Sequence, residues 1–295
     1  MNIRLNCTTQ AIEYNNVGII YDPMCMYAVL MIEEYYTGKE YDGTIFLLTP
    51  CNGFDFNISN PLTLEIIKNI FYNIDIKRII FLNFDHLTNE IYVNALNEYL
   101  KSIDVDEIWE WQYENVISKK YLLQDRVKFM PLRYVSRYEK FKILEYKEQE
   151  YVCHFIGNID MQRRRDFFTE MGYNYLNFKI ICGNSICSRI KELNTSGFSL
   201  NIHGMKDNLR EQLRISENIC LGIPVMTEQD THLYHEGLVA FYNYDEAINN
   251  VREFFDRMKS LYDLYRMMDI SELYKKLTQQ TDAYENYKNN IIATY

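Results

Sequence analysis

Two arginines and a glutamate share one stripe of a predicted helix in the second half of the sequence. Arg210, Arg214 and Glu217 are spaced i, i+4 and i+7, and Asp207 before them is a good helix N-cap. Guanidinium groups bind phosphate and a carboxylate binds paired ribose hydroxyls, so the stripe predicts a nucleotide site. The alternative interpretation is an exposed helix face with ordinary Arg–Glu pairs, which is the more common use of this spacing.

A second group of candidate residues follows the predicted strand 151–156. Gly157 permits a tight turn before Asn158, and the next predicted helix carries three consecutive arginines, starting at Arg163, in its first turn. The helix dipole disfavours cations at this end unless an anion lies opposite them. A phosphate or diphosphate would satisfy both the arginines and the backbone N–H groups, whereas the alternative interpretation is a solvated basic turn.

Strands and helices that alternate along the chain must position these groups, and their pattern is typical of an α/β protein with parallel sheets. The predicted strands are 3–7, 17–21, 44–48, 78–83, 107–111 and 127–130 in the first half, and 151–156, 177–182, 199–203, 223–226 and 238–242 in the second. The charged stretch 133–150 interrupts the alternation and is interpreted as a connection. We therefore predict two doubly wound domains, 1–145 and 146–295, the second ending in helices over 245–287.

The ends of predicted strands hold further candidates, since open parallel sheets bind ligands outside the carboxyl ends of their strands. His203 and Gly204 follow one strand of the second half and are candidate ligand-binding residues. Asp85 and His86 end a strand of the first half, and Asp22 ends an earlier one, so their side chains are candidates by the same position. The alternatives are a turn or helix cap for the Asp-His pair, and a buried histidine bonded to backbone for His203.

Composition and charge exclude several classes of partner. Lys and Arg number 31 against 41 Asp and Glu, and the net charge of −10 disfavours nucleic acid and anionic membrane surfaces. No apolar run approaches the roughly 18 residues of a membrane span, and the first residues lack a signal-peptide pattern, so we predict no transmembrane segment. The seven cysteines include no C-x-x-C pair, which fits a reducing compartment and predicts a cytoplasmic protein of the producing or host cell.

Metal and cofactor motifs are weak in this sequence. No Gly-x-Gly-x-x-Gly or P-loop run occurs. Asp104 and Asp106 form an Asp-x-Asp pair, but we interpret it as a solvated loop before a strand. His232, His235 and Glu236 supply fewer ligands than zinc sites usually do. We therefore predict neither a metal ion nor a cofactor.

The segment from Glu217 to Val225 resembles a glycosyltransferase signature. Its residues, Glu-Asn-Ile-Cys-Leu-Gly-Ile-Pro-Val, are similar to the Glu-Ala-x-Ala-x-Gly-x-Pro-Val pattern of GT-B glycosyltransferases. Leu-Asn-Ile-His203 followed by Leu-Arg-x-x-Glu217 is similar to spore-maturation-type glycosyltransferases and to related enzymes of large DNA viruses. The segments 78–88, 107–115 and 127–132 resemble the acceptor-side domain of that group in their order. The resemblance covers most of the chain.

This resemblance implies a GT-B architecture, in which two Rossmann-like domains face each other across a cleft. The acceptor would lie in the first domain and the nucleotide-sugar donor in the second. Asp85 or His86, with Asp22 as the next candidate, would be the general base for the acceptor hydroxyl. Gly204 would belong to the donor site with His203. Glu217 would contact the ribose, while Arg163, Arg214 and His203 would hold the diphosphate. The implied activity is the metal-independent transfer of a sugar from a nucleotide-diphosphate sugar to a hydroxyl group of a glycan or glycoconjugate.

Two departures from the family pattern leave alternatives open. Retaining members carry a second Glu eight positions before the ribose Glu, and that position is Leu209 here, so both stereochemical outcomes stay open. No Lys follows Gly157, and the arginines from Arg163 onward would take its role towards the departing diphosphate. A non-catalytic nucleotide- or glycan-binding protein and a sugar epimerase stand as alternative functions.

Overall fold

Two groups of strands and helices make up the chain in the computed structural model. The structure describes residues 2–4, 9–22, 25–48, 62–83, 87, 90–141, 152–157, 159–172, 177–181, 198–203, 212–229, 235 and 237–294. Contacts divide the chain into two units, Met1–Leu132 and Arg133–Tyr295. The predicted domain boundary at residue 145 falls outside the described ranges and stays a prediction.

The described part of the first unit carries a seven-stranded sheet whose strands lie side by side in sequence order. The strands are β1 (Asn2–Arg4), β2 (Gln10–Tyr14), β3 (Val17–Tyr21), β4 (Thr44–Leu48), β5 (Arg78–Asn83), β6 (Glu107–Glu110) and β7 (Val127–Phe129). Strands β3 to β7 are parallel, as predicted, whereas β1, β2 and β3 pair antiparallel. Because the strand order does not reverse, this sheet differs from the doubly wound order expected of a Rossmann-like domain.

Strand β2 has no counterpart among the predicted strands. Most of its residues are half-buried, so it lacks the continuous apolar run of a central strand. Asn15 and Asn16 connect it to β3 with φ angles of 48° and 61°, the left-handed pair that a two-residue hairpin turn requires. The Asn-Asn dipeptide is the sequence signal for this hairpin, because asparagine enters that region more readily than most non-glycine residues.

Helices connect the parallel strands of the first unit. They are α1 (Met26–Tyr35), α2 (Leu64–Ile70), α3 (Glu90–Ile103) and α4 (Tyr113–Ile117). Leu96 and Leu100, one turn apart on α3, belong to the same buried core as Ile45, Phe81 and Ile108 of the sheet. The apolar face of α3 therefore covers one side of the strands that end at Asn83 and Glu110.

The second unit contains a five-stranded sheet in which every described pair of strands is parallel. Its strands are β8 (Val152–Ile156), β9 (Asn177–Ile181), β10 (Phe198–Asn201), β11 (Val225–Glu228) and β12 (Ala240–Tyr242), and their spatial order is β12-β11-β10-β8-β9. The order reverses at β8 and β10, because β9 lies on one side of β8 and the later strands lie on the other. The predicted doubly wound sheet is confirmed for this unit.

The described ranges of the second unit contain six α-helices. They are α5 (Gln162–Gly172), α6 (Gln212–Cys220), α7 (Tyr244–Asn249), α8 (Val251–Met267), α9 (Ile270–Thr278) and α10 (Thr281–Ala293). The predicted helical end of the chain is confirmed. Helix α9 packs against α6, and the Tyr274 hydroxyl donates a hydrogen bond of 3.1 Å to Ser216 Oγ. No helix in the described part of the chain has the length and apolar character that crossing a membrane requires.

The first residues of the charged stretch 133–150 pack into the second unit. Tyr134 and Tyr138 are buried in spite of their charged neighbours. The Tyr134 backbone N–H donates to Thr278 Oγ1 over 2.8 Å, and the Arg133 guanidinium lies over the Tyr284 ring. Residues 133–141 are therefore part of the second unit, and they bring Tyr138 against α6.

Candidate functional site

The carboxyl ends of β8 and β10 meet where the strand order of the second sheet reverses. Gly157 follows β8, His203 lies two residues beyond β10, and Glu228 is the last residue of the neighbouring β11. Doubly wound sheets bind ligands in the crevice at such a reversal, because the loops there diverge to opposite sides. The structure brings four of the predicted donor-site residues to this edge: Gly157, Arg163, His203 and Arg214.

Arg214 lies directly against the backbone at Gly157. Its Nη1 donates a hydrogen bond of 3.0 Å to Asn201 Oδ1, and its Cζ lies 5.1 Å from the centre of the Phe155 ring. A Cβ atom at position 157 would come within 2.7 Å of Arg214 Nη2. Asn201 is itself fixed by a 2.9 Å hydrogen bond from its Nδ2 to Thr227 Oγ1. Because glycine has no side chain, the Arg214 guanidinium can occupy the space next to the backbone at position 157.

Gly157→Ala is expected to displace the Arg214 guanidinium and to destabilise the fold moderately. The φ angle of Gly157 is +147°, a conformation that residues with a side chain rarely adopt. We expect a loss of about 1–3 kcal/mol in the free energy of unfolding, measured by urea denaturation. Gly38→Ala is the control, since a Cβ there has no atom within 4 Å. Equal stability of the two variants would contradict the close packing of Arg214 on Gly157.

Arg163, Glu228 and His203 form a second cluster at the same edge. Arg163 Nη1 donates to both carboxylate oxygens of Glu228, at 2.8 Å for Oε2, and also to the His203 carbonyl oxygen over 3.2 Å. His203 Nδ1 lies 3.1 Å from Glu228 Oε2. The other side of Arg163 covers the Tyr244 ring, with Cζ 3.6 Å from the ring centre. The cluster thus joins α5, β11, the segment after β10 and the start of α7.

Burial raises the pKa of Glu228 to about 7, although the Arg163 guanidinium and hydrogen bonds act in the opposite direction. The Glu228 side chain is only 5% exposed. An ionised carboxylate loses hydration there that a single ion pair does not fully replace. Glu228 is therefore a buried acid that titrates near neutral pH, and it was absent from the predicted site residues. The sequence feature that points to Glu228 is its position just after the predicted strand 223–226.

The three consecutive arginines do not act as one group. Arg164 is buried and donates from Nε to the Ile202 carbonyl oxygen over 3.0 Å, while its Cζ lies 5.2 Å from the Phe155 ring centre. Arg165 is exposed and donates to Gln162 Oε1. Arg164 and Arg214 therefore flank the same ring, and Arg165 belongs to the surface. Like charges repel, so the cluster of Arg163, Arg164 and Arg214 favours an anion at this edge.

Glu217 lies inside the second unit and does not face solvent. It is 3% exposed, and its carboxylate accepts a 3.0 Å hydrogen bond from the Tyr138 hydroxyl. The alternative interpretation of an exposed Arg–Glu face is therefore wrong for Glu217. Arg214, one turn earlier on α6, is half-buried. Arg214 therefore binds Asn201 and Glu217 binds Tyr138.

Several predicted site residues lie outside the described ranges. They are Asp85, His86, Asn158, Gly204 and Arg210, and their assignments stay predictions. The residues beside Asp85 and His86 are described. Asn83 ends β5 and donates from Nδ2 to Glu110 Oε1 over 2.8 Å, and the Leu87 backbone N–H donates to Asn115 Oδ1 over 3.2 Å. Buried polar groups therefore hold the chain on both sides of the candidate acceptor-side pair.

The weak metal motifs have structural explanations where the structure describes them. Asp104 has a φ angle of 50° and pairs with Arg126 at 2.8 Å, and Asp106 accepts the Ile79 N–H over 2.7 Å. The interpretation of this Asp-x-Asp pair as a loop before a strand is confirmed. The ring of His235 is hydrogen-bonded to Ser216 Oγ at 2.8 Å. Within the described residues, no group of three His, Cys, Asp or Glu side chains is arranged to hold a metal ion.

Comparison with known proteins gives structural likenesses and no sequence relative. No family model and no curated protein matches the chain. The chain is similar to the glycosylation-associated protein complex Gap123 of Streptococcus agalactiae, with 12% identity over 85% of this chain and 54% of that one and a TM-score of 0.42. It is also similar to the accessory secretory proteins 1, 2 and 3 of Streptococcus pneumoniae, with 11% identity over 98% of this chain and 64% of that one and a TM-score of 0.42. For an α1,3-fucosyltransferase the identity is 12%, over 91% of this chain and 82% of that one, and the TM-score is 0.44. The chain thus spans less than two thirds of the first two structures.

Proposed function

We propose that the chain is a nucleotide-sugar-dependent glycosyltransferase that transfers a sugar to a hydroxyl group of a glycan or glycoconjugate without a metal ion. One observation carries this proposal: the Arg214 guanidinium lies against the side-chain-free Gly157 where the order of a parallel sheet reverses. A cation at that position meets an anionic ligand that approaches the backbone closely. The Glu217–Val225 signature supplies the second support.

The proposed donor site assigns each group by its chemistry. Arg214 and Arg163 bind the diphosphate, with His203 beside them, and Glu217 binds the ribose hydroxyls. Asn158, Gly204 and Arg210 belong to the same proposed site through their positions in the sequence. The sugar and the acceptor are bound outside this group of residues. We also propose a cytoplasmic protein with no nucleic-acid partner.

The proposed reaction breaks one bond and forms one bond at the anomeric carbon of the sugar. The bond to the diphosphate oxygen breaks, and the electron pair leaves with the diphosphate, whose charge the guanidinium groups stabilise. The acceptor oxygen forms the new bond, and its proton passes to a general base, for which Asp85 and His86 are the candidates. Either stereochemical outcome is compatible with this balance of atoms and charge.

A non-catalytic nucleotide- or glycan-binding protein is the second candidate function. One specific observation favours it: Arg214, Arg163 and Glu217, which are assigned to the donor, already have partners within the protein. Arg163 is paired with Glu228, and Glu217 accepts a hydrogen bond from Tyr138. A protein that had lost turnover would retain such contacts as part of its fold. The two candidates differ in turnover and not in anion binding.

Calorimetric titration with a panel of nucleoside diphosphates tests the proposed function. Arg214→Ala should weaken binding at least tenfold, because a charge-assisted contact to phosphate contributes about 1.5–3 kcal/mol. Arg252→Ala is the matched control, since Arg252 is an exposed arginine of α8 in the same unit. Unchanged binding and unchanged transfer in both Arg214→Ala and Glu217→Ala would refute the assignment.

Turnover assays with nucleotide sugars then separate the candidate functions. Transfer to an acceptor, or slow hydrolysis of one donor, supports the glycosyltransferase. Thermal stabilisation by a nucleotide without turnover on any donor or acceptor supports the binding protein. Isomerisation of the sugar without an acceptor would identify an epimerase on the same scaffold.

A further inference from the structure

The carboxylate of Glu228 and a ligand phosphate are two anions that compete for one guanidinium. Glu228 receives hydrogen bonds from Arg163 Nη1 and from the His203 backbone N–H, and it lies 3.1 Å from His203 Nδ1. The Glu228 and His203 side chains are 5% and 4% exposed, whereas that of Arg163 is 19% exposed. A phosphate from solvent therefore reaches Arg163 first and arrives beside a carboxylate that has little access to water.

Other charged and titratable groups face this carboxylate from the elements packed around it. Helix α5 contributes Arg164 in addition to Arg163, and both lower the pKa of Glu228. Tyr242 on β12 and Tyr244 at the start of α7 are phenols whose pKa values are raised, chiefly by burial. These phenols stay neutral at physiological pH. Glu228 is therefore the group whose charge changes when a phosphate binds.

We propose that Glu228 is an internal competitor for the phosphate site, and that a phosphate group binds at Arg163 together with uptake of a proton by Glu228. The inference rests on the proposed function, since it takes the ligand of this edge to be a phosphate or diphosphate. Two anions on one partly buried guanidinium repel each other, and protonation of one removes the repulsion. The proton comes from solvent and adds to a carboxylate oxygen of Glu228, and no bond to the ligand forms or breaks.

The direction of the pH dependence follows from the state of the acid. The pKa of Glu228 is about 7 next to Arg163, so the group is mostly ionised at pH 8. A phosphate that shares Arg163 raises this pKa further, and the complex then holds a proton that the free protein lacks. By linkage, the affinity for phosphate decreases as pH rises above about 7, by up to tenfold for each pH unit.

The first experiment measures proton uptake by the wild-type protein. Uridine diphosphate is titrated by calorimetry at pH 8 in two buffers with different enthalpies of ionisation, and the difference in observed heat gives the number of protons bound. We expect uptake of a substantial fraction of one proton. Sulfate, which has no titrating group in this range, is titrated in parallel, so that uptake is assigned to the protein. Binding without proton uptake overturns the inference.

Glu228→Gln supplies the second experiment. Glutamine keeps an oxygen that accepts from Arg163 and removes the competing charge, so binding of uridine diphosphate at pH 8 should become about tenfold tighter and proton uptake should fall. Glu246→Gln, an exposed carboxylate on α7, is the matched control and should change neither value. Equal or weaker binding by Glu228→Gln overturns the inference.

The two experiments also separate this inference from the proposed function. If Arg214→Ala weakens binding and Glu228→Gln leaves affinity and proton uptake unchanged, the proposed function stands and only the role of Glu228 is wrong. If the wild-type protein binds no member of the nucleoside diphosphate panel and no sulfate, both are wrong; if it binds another member of the panel, that nucleotide replaces uridine diphosphate in the two experiments. Circular dichroism of each variant confirms folding, and the proton uptake of the wild-type protein decides the question without any variant.

Discussion

Glu110→Ala is expected to destabilise the first unit by about 3–5 kcal/mol, because it removes the common acceptor of several buried donors. Glu110 ends β6 with no exposed surface. Its carboxylate accepts from Asn83 Nδ2 at 2.8 Å, from Asn115 Nδ2 at 3.1 Å and from the Tyr121 hydroxyl. Alanine would leave these donors buried without the carboxylate. Urea denaturation followed by tryptophan fluorescence measures the loss.

Glu107→Ala is the control for this prediction, since it removes the same side chain from the other end of the same strand. The Glu107 side chain is 16% exposed, and its partner Lys128 is 54% exposed. We expect a loss of about 1–2 kcal/mol, because the solvent-accessible ion pair contributes little and the Trp109 indole N–H loses the acceptor that it reaches over 2.7 Å. Glu110→Gln should fall between the two, because glutamine fills the space and keeps one acceptor oxygen. Equal losses for Glu107→Ala and Glu110→Ala would show that the buried network contributes nothing.

The Glu110 network also connects the fold to the candidate acceptor-side pair. Asn83 lies before Asp85 and His86, and Leu87 follows them. Glu110 binds Asn83 and Asn115, and Asn115 in turn binds the Leu87 backbone. The Leu87 carbonyl oxygen also accepts from Lys120 Nζ. If either residue of the pair is the general base, Glu110→Gln should reduce kcat more than it raises KM for the donor.

Three central strands of the first sheet could be predicted from the sequence to the residue. Strands β3, β4 and β5 have the predicted bounds, because uninterrupted apolar runs such as Thr44–Leu48 leave one choice of element. Strand β11 starts two residues later than predicted, at Val225. Pro224 has no N–H group to give to the sheet, and its carbonyl oxygen instead accepts from the Ser199 N–H over 2.8 Å. The apolar pattern alone placed Ile223 in the strand.

The candidate site could be located from the sequence, but its internal contacts could not. Gly157, His203 and Arg214 were identified because strand ends and helix spacing are local features. The pairing of Arg163 with Glu228 spans 65 positions, and that of Tyr138 with Glu217 spans 79. No spacing rule relates residues so far apart. Tyr138 also lies in a charged stretch without apolar periodicity, so its burial depends on tertiary packing alone.

These long-range contacts change the interpretation of the acidic chain. The net charge of −10 predicts poor binding of extended polyanions, but it averages over local groups of arginines such as the one that begins at Arg163. In the structure one of these arginines is balanced by a buried acid that titrates near neutral pH. The positive charge that a ligand meets at the carboxyl edge of the second sheet therefore depends on pH. The net charge of the whole chain does not show this local dependence.

Glu228→Gln is expected to stabilise the protein by about 3 kcal/mol at pH 8 and to have little effect near pH 5. The pKa of Glu228 rises from its ordinary value of 4.5 to about 7 in the folded protein. Between these values the folded state holds a proton that the unfolded state has released, so the free energy of unfolding decreases as pH rises from 4.5 to 7. Above pH 7 both states are ionised, and the full cost of the buried charge is present.

Glutamine resembles the protonated acid and avoids this cost, so the two stability curves should separate between pH 5 and 7 and run parallel above it. Urea denaturation at half-unit steps from pH 5 to 8.5 measures the difference, with Glu246→Gln as the exposed control. Arg163 retains its contacts with the His203 carbonyl oxygen and the Tyr244 ring, so the loss of its ionic partner is partly offset. A variant less stable than wild type at pH 8 would mean that the Arg163 ion pair outweighs the desolvation of Glu228, and its pKa would then lie below the ordinary value.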